Sequence, residues 1–233
     1  MQHRNVFGSP DALAADFLHL MNLAAAQAIA ERGAFHVALT GGSAAQALYP
    51  VLAQTPMPWA QIHLWFGDER AVPPEHADSN YGLAQQALLS RIAIPVANVH
   101  RMEGELAPSD AAARYEIALQ DLAGGALDVV HLGMGPDGHV ASLFPGHQLL
   151  SSPRLVDALT DSPKPPPARV TLTLRCLAAA RSLWFLVLGR AKADAVREAL
   201  LEPSSPLPAA LASRAAREAR WLLDDEAATL LKA

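Results

Sequence analysis

The chain has 233 residues, 51% of them apolar, which is ample for a sizeable core and excludes a mainly disordered protein. A formal net charge of -5 and the absence of any Lys/Arg run argue against a nucleic-acid partner. The single cysteine, Cys176, can form no internal disulfide and leaves no cysteine pair for a structural zinc.

The N-terminus, MQHRNVFGSPDALAADF, has no continuous apolar run before a small-residue cleavage site, and Asn22 and Gln27 interrupt the alanine-rich stretch from Leu20 to Ala30. The expectation is a cytoplasmic protein with no membrane contact. Ser9-Pro10-Asp11 reads as a helix start, with a capping hydroxyl, a proline whose missing N–H costs nothing at the first position, and an acid near the positive dipole end. That helix should reach about Glu31 and stop at Gly33.

Short apolar runs then read as strands: Phe35 to Thr40, Ile62 to Phe66, Asp128 to Leu132, Val170 to Leu174, Leu183 to Leu188 and, more weakly, Arg220 to Leu223. Between them lie stretches of helical spacing at Ala44 to Leu52, Ser109 to Leu122 and Lys192 to Leu201. Alternating strands and helices predict a parallel sheet covered on both faces, in one domain spanning 1–233. The proline-rich SPKPPPARV, Ser162 to Val170, is too short to separate domains and reads as a stiff loop.

Four places carry candidate chemistry. Thr40-Gly41-Gly42-Ser43 joins a strand to a helix, a junction whose free amides and dipole suit a phosphate; a plain turn and N-cap is the alternative. Gly67-Asp68-Glu69-Arg70 ends the next strand in three charges, where Arg70 could grip an anion and the acids accept sugar hydroxyls, unless the loop is merely solvated. LGMGPDGHVASLFPGH, Leu132 to His147, contains G-x-G-x-x-G. Pro145-Gly146 limits any helix there to about two turns, however, which is poor for a dinucleotide loop even though Asp157 lies near the expected ribose-binding spacing. The other reading is a rigid turn at a strand's carboxyl end that presents His139, oriented by Asp137, for proton transfer near neutral pH. Arg169 and Lys192 add cations at element boundaries. Ser43 raises a serine-hydrolase possibility, weakened because Asp137 and His139 lie too close together on one loop to line up a triad. Scattered histidines predict no metal site.

Taken in order, TGGS at 40–43, FGDERAVPPEHADSNYG at 66–82, LGMGPDGHVASLFPG at 132–146, PKPPPARVTLTL at 163–174 and the Gly189-x-x-Lys192 pair resemble the 6-phosphogluconolactonase family over nearly the whole chain. The resemblance implies an α/β fold, a Rossmann-like, mostly parallel sheet with helices on both faces, shared with sugar-phosphate isomerases and deaminases. It also implies hydrolysis of a phosphosugar lactone in the oxidative pentose phosphate pathway, with no cofactor. His139 would be the base that activates water, and Asp137 would orient the histidine or the sugar. Gly41, Gly42, Ser43, Arg70, Arg169 and Lys192 would hold phosphate or polarise the lactone, with Asp68, Glu69 and Asn80 near the sugar. The expected partner is the small phosphosugar lactone alone, bound by a monomer or weak homo-oligomer. Arg175 replaces the proline usual after TLTL and could be a further cation beside Arg169. The rivals are a glucosamine-6-phosphate deaminase, whose loop carries a carboxylate shortly after the histidine where HVASLFP here has none, and a non-catalytic sugar-phosphate sensor.

Overall fold

The computed structural model describes residues 1–231. Strand β1 (Gln2–Phe7) leads into helix α1 (Pro10–Arg32), capped as expected: the Ser9 hydroxyl accepts from the Ala12 amide at 3.2 Å, and the helix ends at Gly33. By length and composition α1 could cross a bilayer, but its stripe of Leu13, Phe17, Met21, Ala25 and Ala28 is buried on the sheet. Next come β2 (Phe35–Leu39), α2 (Gly42–Leu52), β3 (Ile62–Phe66), a short β4 (Asp68–Arg70), α3 (Asn80–Ala87) and α4 (Pro108–Ala123). Then follow β5 (Val129–Leu132), β6 (Val156–Leu159), β7 (Arg169–Leu172), α5 (Leu174–Ala179), β8 (Ser182–Val187), α6 (Ala193–Leu201), α7 (Pro208–Ala215) and β9 (Ala219–Asp224).

Six strands form one sheet in the order β1-β9-β8-β5-β2-β3, and every pairing in it is parallel. Its residues alternate between two cores, as strand geometry requires. Val37, Leu39, Leu64 and Phe66 face α1, α2 and α3, whereas Ala38, Trp65, Val130 and Phe185 face the layer of α4 to α7. The α/β reading with helices on both faces therefore holds.

Three expectations need correction. The run Val170 to Leu174 is not in the parallel sheet: β7 is the centre of a second, antiparallel sheet, β4-β7-β6. Asp68-Glu69-Arg70 is an edge strand of that sheet rather than a loose charged loop. Gly67 joins the two sheets, donating its amide to Leu39 O and accepting from the Leu172 amide, both at 2.9 Å. Arg175 lies in α5 and donates to the Pro153 carbonyl, so it is no companion of Arg169.

At the carboxyl ends of the strands the backbone runs out of sheet partners, and two buried tyrosines replace them. Tyr49 Oη accepts from the Thr40 amide at 2.8 Å and donates to the Thr40 carbonyl at 2.6 Å. Tyr115 Oη does the same for Phe66, at 2.7 and 3.1 Å. Replacing either by phenylalanine leaves a buried amide and carbonyl unpaired. Tyr49→Phe and Tyr115→Phe should each lower unfolding free energy by about 1–3 kcal/mol in urea titrations; an unchanged midpoint would show that these hydroxyls do not pin the strand ends.

Candidate active site

The chain crosses from β3 on one side of β2 to β5 on the other, so the loops after β2 and β5 diverge at a switch point in the sheet. There the Gly133 amide donates to Thr40 Oγ1 at 2.9 Å, tying the two loops together. Above this junction opens a cleft of about 210 Å³, lined by the ends of β2, β4, β5 and β8 and by the proline-rich loop. Thr40, Gly41, Gly42, Ser43, Asp68, Arg70, Asn80, His139, Lys164, Arg169 and Lys192 all border it.

The glycine-rich segment makes a tight turn and no helix. The Gly135 amide donates to the His139 carbonyl at 2.9 Å and the Gly138 amide to the Gly135 carbonyl at 3.0 Å, folding the loop back on itself. A dinucleotide loop needs a helix opening at its third glycine, and none opens at Gly138. The fold-back carries the His139 ring across Gly135: a β-carbon there would stand 2.0 Å from His139 Nδ1 and 2.4 Å from Asp137 Oδ1. Only glycine permits this approach.

Asp137 Oδ1 lies 2.5 Å from His139 Nδ1. Burial acts to raise the Asp137 carboxyl, but the hydrogen bond from His139 and the Lys164 ammonium outweigh it and hold the pKa at about 2. An ionised carboxylate only accepts, so Nδ1 carries the proton and Nε2 keeps the basic lone pair. Nε2 bonds to no group among the described residues and is open to the cleft. The other ring face rests on Phe144, with centroids 4.8 Å apart. Burial lowers the imidazole pKa, with Lys164 adding to the effect and Asp137 opposing it.

The cations expected from the sequence differ in what they are free to do. Arg169 is buried and occupied: Nε donates to Pro166 O at 3.0 Å, and Nη2 to Lys164 O and Pro165 O at 3.1 and 3.0 Å. It clamps the proline-rich loop. Arg70 donates through Nη1 to the Asp78 carbonyl, while its Nε is buried without a partner among the described residues. The ammonium of Lys192, just before α6, makes no hydrogen bond or ion pair to the described residues, and burial lowers its pKa before the repulsion of Lys164 is added. It is the cation most available to a ligand.

Gly41, Gly42 and Ser43 open α2, with Ser43 exposed and its amide in the first turn. Gly41 also lets Asn80 approach, since a β-carbon would stand 2.0 Å from Asn80 Oδ1. Asn80 in turn donates to Asp68 O at 2.9 Å and Oδ1 at 3.0 Å, and Ser142 Oγ donates to Asp68 Oδ2 at 2.7 Å. Glu69, expected near the sugar, does not border the cleft. Its carboxylate accepts from the amides of Arg70, Asn80 and Tyr81 and from the Ser79 hydroxyl at 2.7–3.0 Å, capping the start of α3. Among the described residues no hydrogen bond links Ser43 to His139, as a serine nucleophile would need, and no group of three or more His, Cys, Asp or Glu side chains is arranged to hold a metal ion.

Lys164 was not among the cations expected from the sequence. Its Nζ lies 3.2 Å from Asp137 Oδ2 and 3.4 Å from His139 Nδ1. The only local signal for it was the stiffness of the prolines around it.

A family model described as glucosamine-6-phosphate isomerases/6-phosphogluconolactonase matches residues 8–221. The 6-phosphogluconolactonase of Rattus norvegicus is 41% identical, with 97% of this chain and 93% of that protein aligned. The crystal structure of 6-phosphogluconolactonase from Thermotoga maritima superposes with a TM-score of 0.86 at 30% identity, covering 96% of this chain and all of that one. A monomeric glucosamine-6-phosphate deaminase shares the fold alone, with a TM-score of 0.84 at 20% identity over 98% of this chain and 99% of that one. With both the family model and the rat enzyme matched over most of its length, the chain belongs to the glucosamine-6-phosphate isomerase/6-phosphogluconolactonase family.

Proposed function

We propose that this chain hydrolyses 6-phospho-D-glucono-1,5-lactone to 6-phosphogluconate, the second step of the oxidative pentose phosphate pathway. The observation that carries the reading is the His139 ring, committed at Nδ1 to an ionised Asp137 and open to the cleft at Nε2. Family relatives of that name in rat, and at 42% identity in cattle, support the choice of substrate. The deaminase alternative needs a carboxylate soon after the histidine, and Val140 to Phe144 offers only Ser142, whose hydroxyl is given to Asp68.

In this reading the substrate's phosphate sits at the start of α2, over the amides of Gly42 and Ser43, with Lys192 and the Arg70 guanidinium supplying positive charge. A chain of net charge -5 requires such local cations to hold a dianion. His139 Nε2 takes a proton from water as the oxygen adds to the lactone carbonyl carbon. The tetrahedral intermediate then expels the ring oxygen, which receives that proton back from the imidazolium, leaving the open-chain acid. A lactone is already an activated ester, so an oriented water and an anchored substrate suffice without a covalent intermediate. The reaction so written calls on no metal or cofactor. The buried free thiol of Cys176 suits the reducing cytoplasm, the compartment we assign to it.

His139→Ala should reduce lactone turnover by about 10²- to 10⁴-fold, towards the spontaneous rate, as followed by base consumption during hydrolysis of freshly generated lactone. Unchanged turnover would remove His139 from the reaction. The same assay gives the pH dependence. Only the neutral imidazole is a base, and its folded pKa lies below the ordinary 6.5. The value of kcat/KM should therefore be level through neutral pH and fall on acidification with a midpoint under 6.5. An acid limb centred higher would contradict this assignment.

A further inference from the structure

Asp137 has two carboxylate oxygens, and both are used. Oδ1 holds the histidine at 2.5 Å, and Oδ2 faces Lys164 Nζ at 3.2 Å. Because Nδ1 carries a proton, the ammonium 3.4 Å from it acts there by charge and not as a hydrogen-bond donor. Lysine thus stands behind aspartate as aspartate stands behind histidine.

The loop carrying Lys164 is fixed at several points. The Ser162 hydroxyl donates to the Lys164 carbonyl at 2.8 Å and accepts from the Lys164 amide at 3.2 Å. The Arg169 guanidinium holds three successive carbonyls, those of Lys164, Pro165 and Pro166, at 3.0–3.1 Å. A buried arginine spent on loop carbonyls is poorly placed to grip a substrate but well placed to fix the backbone behind one side chain.

We propose that Lys164, on the proline-rich loop, is a positioning residue for this reaction, the third member of a Lys164–Asp137–His139 relay, which holds Asp137 aimed so that Nε2 of the histidine remains the base. The inference rests on the lactonase reading for its reaction and on geometry alone for the relay. The charged groups around the imidazole are Asp137 on its own loop, Lys164 on the proline-rich loop, Asp68 on β4, Arg169 on β7 and, further off, Lys192 before α6. Lys164 is the cation nearest the ring. Removing it both deletes a repelling charge and leaves Asp137 more electron-rich, and both changes favour the imidazolium.

The test compares wild type with Lys164→Met and Lys164→Arg in two measurements. One is the pH profile of lactone hydrolysis; the other is an NMR titration of the ¹⁵N-labelled His139 imidazole without substrate. Lys164→Met should raise the His139 midpoint by about one pH unit in both, and lower kcat about tenfold while KM changes little. Lys164→Arg should restore most of both. A native-like histidine spectrum in each variant establishes that the fold is kept. An unmoved imidazole titration in Lys164→Met overturns the proposal, as does a rise in KM alone, which would make Lys164 a direct phosphate contact. The NMR titration needs no turnover, so an inactive wild-type protein would refute the lactonase reading, while the shift of the imidazole midpoint would still decide the relay.

Discussion

An imidazole can take a proton from water only at the nitrogen it has not already committed, and here Asp137 makes the commitment. The 2.5 Å contact to Nδ1 selects the tautomer and the ring direction together. That contact exists because the loop folds across Gly135, where any side chain would occupy the space of the ring. The loop holds its place because β5 delivers it beside β2, with the Thr40 hydroxyl fastening one loop to the other. The geometry of one nitrogen is thus traceable to a strand order.

The two sheets divide the work. The parallel sheet ends in features that line the cleft: the opening of α2, the His139 loop and the approach to Lys192. The small antiparallel sheet brings in Asp68, Arg70 and Arg169, and from its edge the proline-rich loop reaches over to Asp137. Gly67 is the hinge between them, bonded to both. The Lys164–Asp137 pair is partly exposed, with side chains 40% and 36% accessible, and such pairs contribute only about 0–1 kcal/mol to stability. Its consequence is better sought in protonation than in folding.

Much of this was legible in the sequence, for reasons that differ by element. The helix from Ser9 to Gly33 announced itself through its caps, and β2, β3, β5 and β8 through apolar runs that only a doubly covered sheet requires. β1 escaped notice because QHRNVF is an edge strand, mostly exposed and paired only with β9, so it carries little apolar pattern. β4 escaped because its residues are Asp, Glu and Arg. Glu69 can be buried there only because four donors surround it, and no one-dimensional pattern records those donors. The same limit hid Lys164: it lies 25 positions beyond His139, and only the packing of the second sheet brings them together. Arg169 was recognised as a boundary cation, but its engagement with three loop carbonyls is a tertiary fact.

The most direct test of the central claim is a crystal structure of the protein soaked with 6-phosphogluconate, the stable product. The phosphate should lie at the start of α2 beside Lys192, and the C1 carboxylate within hydrogen-bond reach of His139 Nε2, with Nδ1 still on Asp137. A product bound with its phosphate elsewhere, or with C1 remote from an imidazole facing away, would contradict it.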